Sequence, residues 1–384
     1  MQSSSTLEVL QKAEALRRTG KDVIDLGPGE PDFNTPDNVK QAAHRAIDEN
    51  FTRYTPAAGT AELKQAICEY LFRQTGTRYS SSEVIASAGG KQTIFNAIVT
   101  LVDIGDEVLI PSPYWVTFPE VVIFAGATPV YIDTEPNAFK LTAEMVAEKL
   151  TPKTRLLIIN SPNNPSGRII DKTEFEQIVR LAAGRGIYVL SDECYYKFTY
   201  PPHEPFSAAS LPEELRRYVL ISGSLSKTYA MTGWRIGYAL GRSEWIAEMV
   251  KLQSHSTSNP TSIAQKAAIE ALTGQQDSIE MMLAEYGRRR EYLISALNQI
   301  EGLECVLPEG AFYAFPSIKN LLNGKIKTSA DFAQYLLDEA YVAVTPGSAF
   351  GTEGYIRISY ATSLETLKKG VERIAECCHK LLYQ

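Results

Sequence analysis

The sequence predicts an α/β protein whose main sheet is mostly parallel, and two observations carry this prediction. From about residue 84, short runs rich in β-branched residues alternate with segments of helical periodicity, a pattern typical of strands joined by helices that cover a sheet. The chain also has 384 residues, more than one hydrophobic core usually supports. We therefore expect a large α/β domain accompanied by a second, smaller domain.

Seven segments are predicted to be strands of the large sheet. Each is a short apolar or β-branched run that turn formers or a helical pattern separate from the next. They cover residues 83–87, 107–110, 128–132, 155–160, 187–191, 218–222 and 235–240. Residues 91–101 are predicted to form a helix between the first two strands, because four apolar residues recur on one face: Ile94, Ala97, Ile98 and Leu101.

The pattern changes after Gly274, where a long charged helix is predicted at 277–300. Short elements follow it: strands near Leu303, Ala311 and Tyr355 and a last helix from about Ser363. We predict a large domain of residues 40–275. Residues 1–39, which include a helix at 6–18, are predicted to join residues 276–384 in a smaller α+β domain, with the functional cleft between the two.

Composition and charge exclude several classes of function. Lys and Arg total 38 against 45 Asp and Glu, and the net charge of −7 argues against a nucleic-acid partner. The five cysteines lack the spacing of a zinc site and favour a reducing cytoplasm, so we predict no metal site. No apolar run has the length of a membrane span or a secretion signal, so we expect a cytoplasmic protein that does not contact a membrane.

The densest chemical segment is 222–238, where a predicted strand ends in small hydroxyl residues, a lysine and then an arginine. Ser224, Ser226 and Arg235 are candidates to hold a phosphate group through hydroxyls and a guanidinium fork. Lys227 would project into a confined site where its pKa can fall. The alternative for this lysine is an ordinary solvated surface charge.

Two further segments also follow predicted strands, which is where ligand sites of α/β proteins collect. Asp192 comes after the strand at 187–191, and a carboxylate there suits the nitrogen of a pyridine ring, as in pyridoxal-phosphate sites that pair such an acid with a lysine. The alternative for Asp192 is a helix cap or turn. Residues 160–167 are rich in turn formers and carboxamides, and their alternative is simply a tight turn.

The order and spacing of these segments resemble the class I and II aminotransferases of the aspartate aminotransferase family, pyridoxal-phosphate enzymes of fold type I. The likeness extends over nearly the whole chain and is closest to the branch with Gly-Gly-Lys at residues 89–91. Any one motif is weak, but the ordered set is strong. The motifs are residues 25–33, 54–59, 89–92, 112–115, 163–167, 191–193, 224–227, 310–313 and 357–360.

The resemblance implies catalytic roles for three residues and a cofactor, pyridoxal 5′-phosphate. Lys227 would bind the cofactor covalently and move the proton between substrate Cα and cofactor C4′. Asp192 would pair with the pyridinium nitrogen. Tyr195 and Asn164 would donate hydrogen bonds to the phenolic oxygen. Trp115 would stack on the ring, whereas ordinary packing is the alternative for Trp115 and Tyr195.

The resemblance also implies how the phosphate is held. Ser224, Ser226 and Arg235 would contact it together with backbone N–H groups at Gly89 and Gly90, where a strand turns into a helix. Lys91 would lie beside the cofactor in the same turn. Tyr54 resembles a tyrosine that reaches the phosphate across a dimer interface, so a homodimer is expected.

Substrate contacts follow in the same way. Arg357 matches the arginine that grips the α-carboxylate, with a structural salt bridge as the alternative. Gly29 would let the chain pass close to that carboxylate, or is a plain turn glycine. Lys91 resembles a residue that meets the distal carboxylate of aspartate or glutamate, with a solvated lysine as the alternative. Trp115 and Asn164 would also contact substrate.

The expected activity is a ping-pong exchange of the amino group between an L-amino acid, foremost aspartate, and 2-oxoglutarate. Small-molecule amino acids and 2-oxo acids are therefore the expected partners. Aspartate/prephenate aminotransferases, related enzymes of other donor preference and pyridoxal-phosphate lyases remain alternatives, because the fold does not choose among them. An NAD-dependent oxidoreductase is disfavoured because no Gly-x-Gly-x-x-Gly follows a strand. A non-enzymatic sensor or regulator that binds pyridoxal phosphate is disfavoured, because such proteins generally add a DNA-binding segment and this sequence offers neither spare length nor basic charge for one.

Overall fold

The structure is a computed structural model that describes the backbone of residues 5–383 and the side chains of residues 12–383. Its α-helices are α1 (Ser5–Arg18), α2 (Asp37–Asp48), α3 (Ala61–Thr75), α4 (Gly90–Leu101), α5 (Thr117–Phe124), α6 (Ala143–Lys149), α7 (Lys172–Ala183), α8 (Glu213–Arg216), α9 (Leu225–Thr228), α10 (Ser243–Ser256), α11 (Ser262–Thr273), α12 (Asp277–Leu297), α13 (Ser329–Ala340) and α14 (Leu364–Tyr383). In this part of the chain, none of the helices has the length and apolar character that crossing a membrane requires.

The strands are β1 (Ile24–Asp25), β2 (Val84–Ser87), β3 (Glu107–Ser112), β4 (Thr128–Asp133), β5 (Thr154–Asn160), β6 (Tyr188–Asp192), β7 (Val219–Ser224), β8 (Gly237–Leu240), β9 (Tyr313–Ala314), β10 (Val342–Ala343), β11 (Thr345–Pro346) and β12 (Ile356–Ser359). Strands β2 to β8 form a seven-stranded sheet in the order β2-β8-β7-β6-β5-β3-β4. Strand β8 runs antiparallel to both of its neighbours, β2 and β7, and all the other neighbouring strands of this sheet are parallel. The predicted α/β class and mostly parallel seven-stranded sheet are confirmed.

Both faces of the large sheet are buried, because alternate side chains of each strand point to opposite faces. On β5, Leu156 and Ile158 pack in a cluster with side chains of α4, α5 and α10. Leu157 and Ile159 pack on the other face with side chains of α2, α3, α7 and α11. Burying one such side chain is worth roughly 1.5–3 kcal/mol relative to leaving it exposed. The runs of apolar residues seen in the sequence are therefore explained by two-sided burial.

A second core joins the two ends of the chain. Strand β1 pairs with β10, and β11, β12 and β9 form an antiparallel sheet. Apolar side chains of these strands pack with those of α12, α13 and α14. The division into residues 40–275 and residues 1–39 with 276–384 stays a prediction.

Two details after residue 296 differ from the sequence prediction. Helix α12 ends at Leu297 instead of residue 300. No strand forms at Leu303 within the described chain, where the backbone makes only an isolated bridge between Glu304 and Ser317. The carboxamide of Asn298 explains the missing strand, because it accepts from the backbone N–H of Cys305 (2.7 Å) and donates to the carbonyl of the same residue (3.0 Å). A side chain thus takes the place of a strand partner.

The large sheet places three of the sequence motifs side by side. Strands β5, β6 and β7 are neighbours and parallel, with Asn160 opposite Asp192 and Asp192 opposite Ser222. Their carboxyl ends therefore lie at one edge of the sheet. This is the edge at which ligands of open α/β sheets bind.

Candidate active site

A cavity of about 290 Å³ lies at this edge, between the large sheet and the sheet formed by β11, β12 and β9. Of the residues that the sequence argument selected, all except Gly89 and Tyr54 line it. Gly89 lies directly beside the cavity in the turn before α4. The side chain of Tyr54 is 91% exposed. Its expected role needs a second chain, so that role stays a prediction.

Asp192 ends strand β6 and points its carboxylate into the cavity. The residue is buried, and the carboxylate accepts a hydrogen bond from the backbone N–H of Cys194 (3.2 Å). No described cation forms an ion pair with it. Burial raises the pKa of Asp192 to about 7, and the negative charge of Glu193 acts in the same direction. A cationic or N–H donor in the cavity would relieve this cost.

Lys227 lies in the short helix α9, which begins directly after strand β7. Its ammonium group donates a hydrogen bond to the carbonyl oxygen of Gly29. Burial lowers the pKa of Lys227, and the guanidinium groups of Arg357 and Arg235 contribute in the same direction. A lysine whose pKa is lowered holds a larger fraction of the neutral amine, which is the nucleophilic and basic form.

The two glycines at the turn before α4 let the side chains of Arg235 and Ser224 approach the backbone, beside a space that suits an anion. Gly89 has φ of 92°, and a Cβ atom there would lie 2.3 Å from the guanidinium of Arg235. A Cβ atom on Gly90 would lie 3.1 Å from Cβ of Ser224. The positive φ and the close guanidinium make glycine necessary at residue 89, whereas a side chain at residue 90 would require Ser224 to shift by a few tenths of an ångström. The backbone N–H of Gly89 itself donates to the carbonyl of Ser87 (2.7 Å), so its contact with a phosphate stays a prediction.

The other phosphate candidates lie around the same turn. The hydroxyl of Ser224 caps α9 and accepts from the backbone N–H of Ser226 (3.1 Å). Arg235 adopts a left-handed backbone conformation with φ of 56° just before β8 and donates to the carbonyl of Thr232 (2.9 Å). Hydroxyls, a helix N-terminus and a guanidinium therefore converge, which suits an anionic group.

Lys91 and Trp115 form the wall of the cavity beside this turn. The ammonium nitrogen of Lys91 lies 5.3 Å from the centroid of the Trp115 ring, within the range of a cation–π contact. Burial lowers the pKa of Lys91, and the charge of Arg235 adds to the effect. The aromatic face and the ammonium group are thus fixed relative to each other.

Arg357 lies on strand β12 at the other wall and is 4% exposed. Its guanidinium donates to Oδ1 of Asn164 (3.0 Å), the carbonyl of Gly27 (2.5 Å) and Oγ1 of Thr345 (3.4 Å). All three acceptors are neutral, and the buried Nε atom has no hydrogen-bond partner in the described part of the protein. Burial lowers the pKa of Arg357. A buried cation of this kind is costly without an anion.

The same absence of counter-charge holds for the whole cavity. Four cationic side chains line it, those of Lys91, Lys227, Arg235 and Arg357, against the single carboxylate of Asp192. Within residues 12–383 none of the four forms an ion pair with a carboxylate. The cavity is therefore built to receive more than one anionic group.

Tyr195 donates or accepts a hydrogen bond of 2.6 Å with the hydroxyl of Tyr313. Seven residues that line the cavity had no site role predicted from the sequence: Ile94, Val116, Asn160, Cys194, Thr232, Tyr313 and Phe350. Two of these had a signal that was present but unused. Tyr313 ends the motif at 310–313, and Asn160 ends a predicted strand. Phe350 carried no such signal, because only the tertiary structure brings its loop to the cavity.

Three comparisons with known proteins agree. A family model described as aminotransferase class I and II matches residues 21–374. An aspartate aminotransferase of Geobacillus stearothermophilus is 45% identical over 373 residues, which cover 97% of this chain and 95% of that protein. A probable aspartate/prephenate aminotransferase of Rickettsia felis is 44% identical over 383 residues, 98% of this chain and 94% of that protein.

The fold is also shared with a solved structure. That of the Thermus thermophilus aspartate aminotransferase with maleate matches with a TM-score of 0.93 and 42% identity, and the match covers 98% of this chain and 97% of that one. Sequence and fold thus agree along almost the full length of the molecule. The chain belongs to the family of class I and II aminotransferases and has the fold type I architecture that its sequence predicted.

Proposed function

We propose that this protein is an aspartate aminotransferase that uses pyridoxal 5′-phosphate. It transfers the amino group of L-aspartate to 2-oxoglutarate in a ping-pong cycle and forms oxaloacetate and glutamate. The names of the relatives from Geobacillus stearothermophilus and Thermus thermophilus support the choice of aspartate. The observation that carries the proposal is the buried guanidinium of Arg357, which faces the cavity of Lys227 with neutral partners only.

The residues of the cavity fit the cofactor. The turn of Gly89 and Gly90 with Arg235 leaves a space beside hydroxyls and a guanidinium that suits a phosphate. The unpaired carboxylate of Asp192 suits a protonated ring nitrogen. Lys227 supplies an amine of lowered pKa for covalent attachment.

When bound, the cofactor supplies an electron-accepting ring that stabilises negative charge at the substrate Cα. Asp192 holds the proton on the ring nitrogen. Lys227 holds and moves the proton at the substrate Cα, because its amine is the basic group of the cavity with a lowered pKa. Arg357 binds the α-carboxylate and thereby orients the Cα–H bond toward Lys227.

Asn164 has a defined part in this arrangement. Its Oδ1 atom accepts from Arg357, so the NH₂ group of the same carboxamide remains to donate to the phenolic oxygen of the cofactor. Tyr195 donates to the same oxygen. The substrate-binding arginine and the cofactor are therefore connected through one side chain.

Lys91 selects dicarboxylic substrates in this proposal, as the resemblance to the Gly-Gly-Lys branch of the family implies. Its ammonium group lies in the cavity wall without a carboxylate partner among the described residues. The structural neighbour from Thermus thermophilus is a complex with maleate, a four-carbon dicarboxylate. A distal carboxylate of aspartate would supply the missing negative charge.

Aspartate/prephenate aminotransferase is the second candidate, favoured by the name of the Rickettsia felis relative at 44% identity. A matrix of amino donors and 2-oxo acceptors, measured with purified protein, decides between the two. Turnover of aspartate with 2-oxoglutarate but not with prephenate supports the first proposal. Comparable turnover with prephenate supports the second.

We further propose a homodimer in which Tyr54 of each chain reaches the phosphate site of its partner. The 91% exposure of Tyr54 in the single chain supports this proposal. The free thiol state of all five cysteines supports a cytoplasmic location.

Covalent attachment of the cofactor is tested by borohydride reduction and peptide mapping. We expect the pyridoxyl label on Lys227, and we expect Lys227→Ala to lose both the label and the activity, because a lysine beside an anchored aldehyde has a large effective concentration. Lys251, an exposed lysine paired with Glu248, gives the matched control Lys251→Ala, which keeps both. A label on Lys91 or Lys251 instead contradicts the assignment.

Substrate specificity is tested with Lys91→Ala. Loss of a charge-assisted contact is worth roughly 1.5–3 kcal/mol, so kcat/KM for aspartate and glutamate should fall about tenfold to more than a hundredfold. Alanine and phenylalanine should be spared. Equal losses for all donors would instead indicate damage to the adjacent turn of Gly89 and Gly90 and would remove the basis for aspartate specificity.

A further inference from the structure

Tyr313 and Tyr195 form a buried pair of phenols in the wall of the cavity. Their hydroxyl oxygens are 2.6 Å apart, and their rings meet edge to face with centroids 5.6 Å apart. Tyr195 is 5% exposed and Tyr313 is fully buried. Neither the sequence motifs nor the proposed reaction gives Tyr313 a task.

Three segments fix the position of the Tyr313 hydroxyl. Strand β9 holds the backbone of Tyr313 opposite Ser359 of β12. The guanidinium of Arg357 lies 4.6 Å from the centroid of the Tyr313 ring. A Cβ atom at Gly29 would lie 2.5 Å from the Tyr313 hydroxyl oxygen, so glycine is needed there for this placement.

The number of hydroxyl protons then determines which of the two tyrosines donates the hydrogen bond between them. A phenol has one proton to donate and can accept more than one hydrogen bond. If Tyr195 uses its proton toward the cofactor, the proton in its bond with Tyr313 has to come from Tyr313. The reverse arrangement would leave Tyr195 without a proton for the cofactor.

Resting on the proposed function, we propose that Tyr313 is a positioning residue that donates its hydroxyl proton to Tyr195 and thereby directs the proton of Tyr195 to the phenolic oxygen of the cofactor. Hydrogen bonds in a chain polarise one another, so this donation also makes Tyr195 a stronger donor. The titratable groups that act on Tyr313 are Arg357 of β12, Tyr195, and Cys194. Tyr195 and Cys194 both belong to the segment after β6.

The test is a pH titration of the visible absorbance of the holoenzyme without substrate. Donation to the phenolic oxygen stabilises its negative charge, which favours the deprotonated form of the attached cofactor. Tyr313→Phe weakens this donation, so the midpoint should move to higher pH by up to about 1 unit. Gly29→Ala displaces the same hydroxyl without deleting it and should move the midpoint in the same direction.

A matched control separates positioning from general structure. The hydroxyl of Tyr200 donates to the carbonyl of Ala311 (2.6 Å), two residues before Tyr313, and Tyr200 does not line the cavity. Tyr200→Phe should leave the midpoint unchanged. In a Tyr195→Phe background, Tyr313→Phe should cause no further shift, because Tyr313 acts only through Tyr195.

Each result has a defined meaning. An unchanged midpoint in Tyr313→Phe overturns the proposal, and so does a shift that persists in the Tyr195→Phe background. A shift in Tyr200→Phe of the same size also overturns it, because the effect would then be structural. Failure of the proposed function is a different result: the wild-type protein would take up no borohydride label on Lys227.

Discussion

Two regions of the molecule, the wall of the cavity and the inner side of helix α12, each contain a buried arginine. The arginine of α12 is paired with carboxylates, whereas the arginine of the cavity is not. Arg289 of α12 binds both oxygens of Asp32 (2.8 and 3.0 Å) through Nη1, and its Nε atom donates to Glu285 (2.8 Å). Arg357 of β12 has only neutral acceptors, and its Nε atom has none in the described part of the chain. Residue exposure does not separate them, at 5% and 4%.

Aromatic contacts do not separate the two arginines either. The guanidinium of Arg289 lies over the rings of Phe33 (5.3 Å) and Tyr286 (5.5 Å). That of Arg357 lies over Tyr313 (4.6 Å) and Phe350 (4.9 Å). The difference between the two arginines is therefore the missing counter-charge at Arg357, which is what the proposed role in substrate binding requires. A substrate carboxylate would supply the counter-charge of Arg357, as Asp32 supplies that of Arg289.

Two neighbouring carboxylates repeat this contrast. Glu193 accepts from Ser191 Oγ (3.1 Å) and from the backbone N–H of Ala208 (2.8 Å), so its hydrogen bonds are made within the protein. Asp192 faces the cavity and accepts from the backbone of Cys194 alone among the described hydrogen bonds of its side chain. Burial raises the pKa of each to about 7. The raised pKa values therefore do not distinguish the carboxylate that faces the cavity from the one whose hydrogen bonds are made within the protein.

The largest expected effect on activity distinguishes Asp192 from Glu193. Asp192→Asn should keep the cofactor, because the phosphate contacts remain, but should lower kcat roughly 10²- to 10³-fold, because a preorganised charge at the ring nitrogen is lost. Glu193→Gln can keep the one oxygen, Oε1, that accepts both of these hydrogen bonds, and should change kcat by less than about threefold. Single-turnover kinetics and cofactor content measure both variants. A near-normal rate in Asp192→Asn would mean that this aspartate is structural.

The next effect tests the pair of arginines. Arg357→Met should lower kcat/KM roughly 30- to 150-fold for every amino donor, since all donors share the α-carboxylate. The free energy of unfolding should change by less than about 1 kcal/mol, because no buried carboxylate loses its partner.

Arg289→Met is the matched control for this comparison. It leaves Asp32 without its cation, whereas Glu285 keeps its ion pair with Arg288. Because Asp32 is about a quarter exposed, the expected loss of unfolding free energy is about 1–3 kcal/mol. Activity per folded molecule should persist. The comparison fails if Arg357→Met destabilises the protein more than Arg289→Met does.

The smallest effect concerns stability against pH in the cofactor-free protein. The folded-state pKa values of about 7 for Asp192 and Glu193 lie above their usual values of 3.8 and 4.5. The folded state therefore binds protons more tightly, and these two groups make stability fall as pH rises from about 4 to 7. Asp192→Asn removes the contribution of Asp192 to this decline. In the proposed function, the bound cofactor would also reduce it, because its protonated ring nitrogen would pair with Asp192.

Urea unfolding at several pH values checks this prediction. The decline across that pH range should be shallower in Asp192→Asn and in the holoenzyme than in the cofactor-free wild-type protein. The identical slope in all three samples would contradict the assignment of an unpaired carboxylate at Asp192.

The sequence predicted the large sheet well because its strands are buried on both faces. Two-sided burial requires runs of apolar residues such as 156–159, and such runs are visible in a single sequence. The short elements of the second core were harder to predict from the sequence. The strand expected at Leu303 does not form, because the carboxamide of Asn298 satisfies the backbone of Cys305, and no local pattern encodes that contact.

The same division holds for the candidate site. Lys227, Asp192 and Asn164 follow strand ends, so their local sequence already placed them at one edge of the sheet. Tyr313 was not selected, since its hydroxyl acquires a partner only when β9 is brought against the segment that carries Tyr195. Phe350 reached the cavity without any local signal.

The sequence by itself determined the fold class, the family and the residue types of the site, because periodicity and ordered motifs are local properties of the chain. Only the tertiary structure decided which charges are compensated. Arg289 and Arg357 are both buried, but Arg289 pairs with Asp32, 257 residues away in sequence, whereas no carboxylate in the described chain pairs with Arg357. Counter-charge is set by distances between segments far apart in sequence, and these distances exist only in the folded chain.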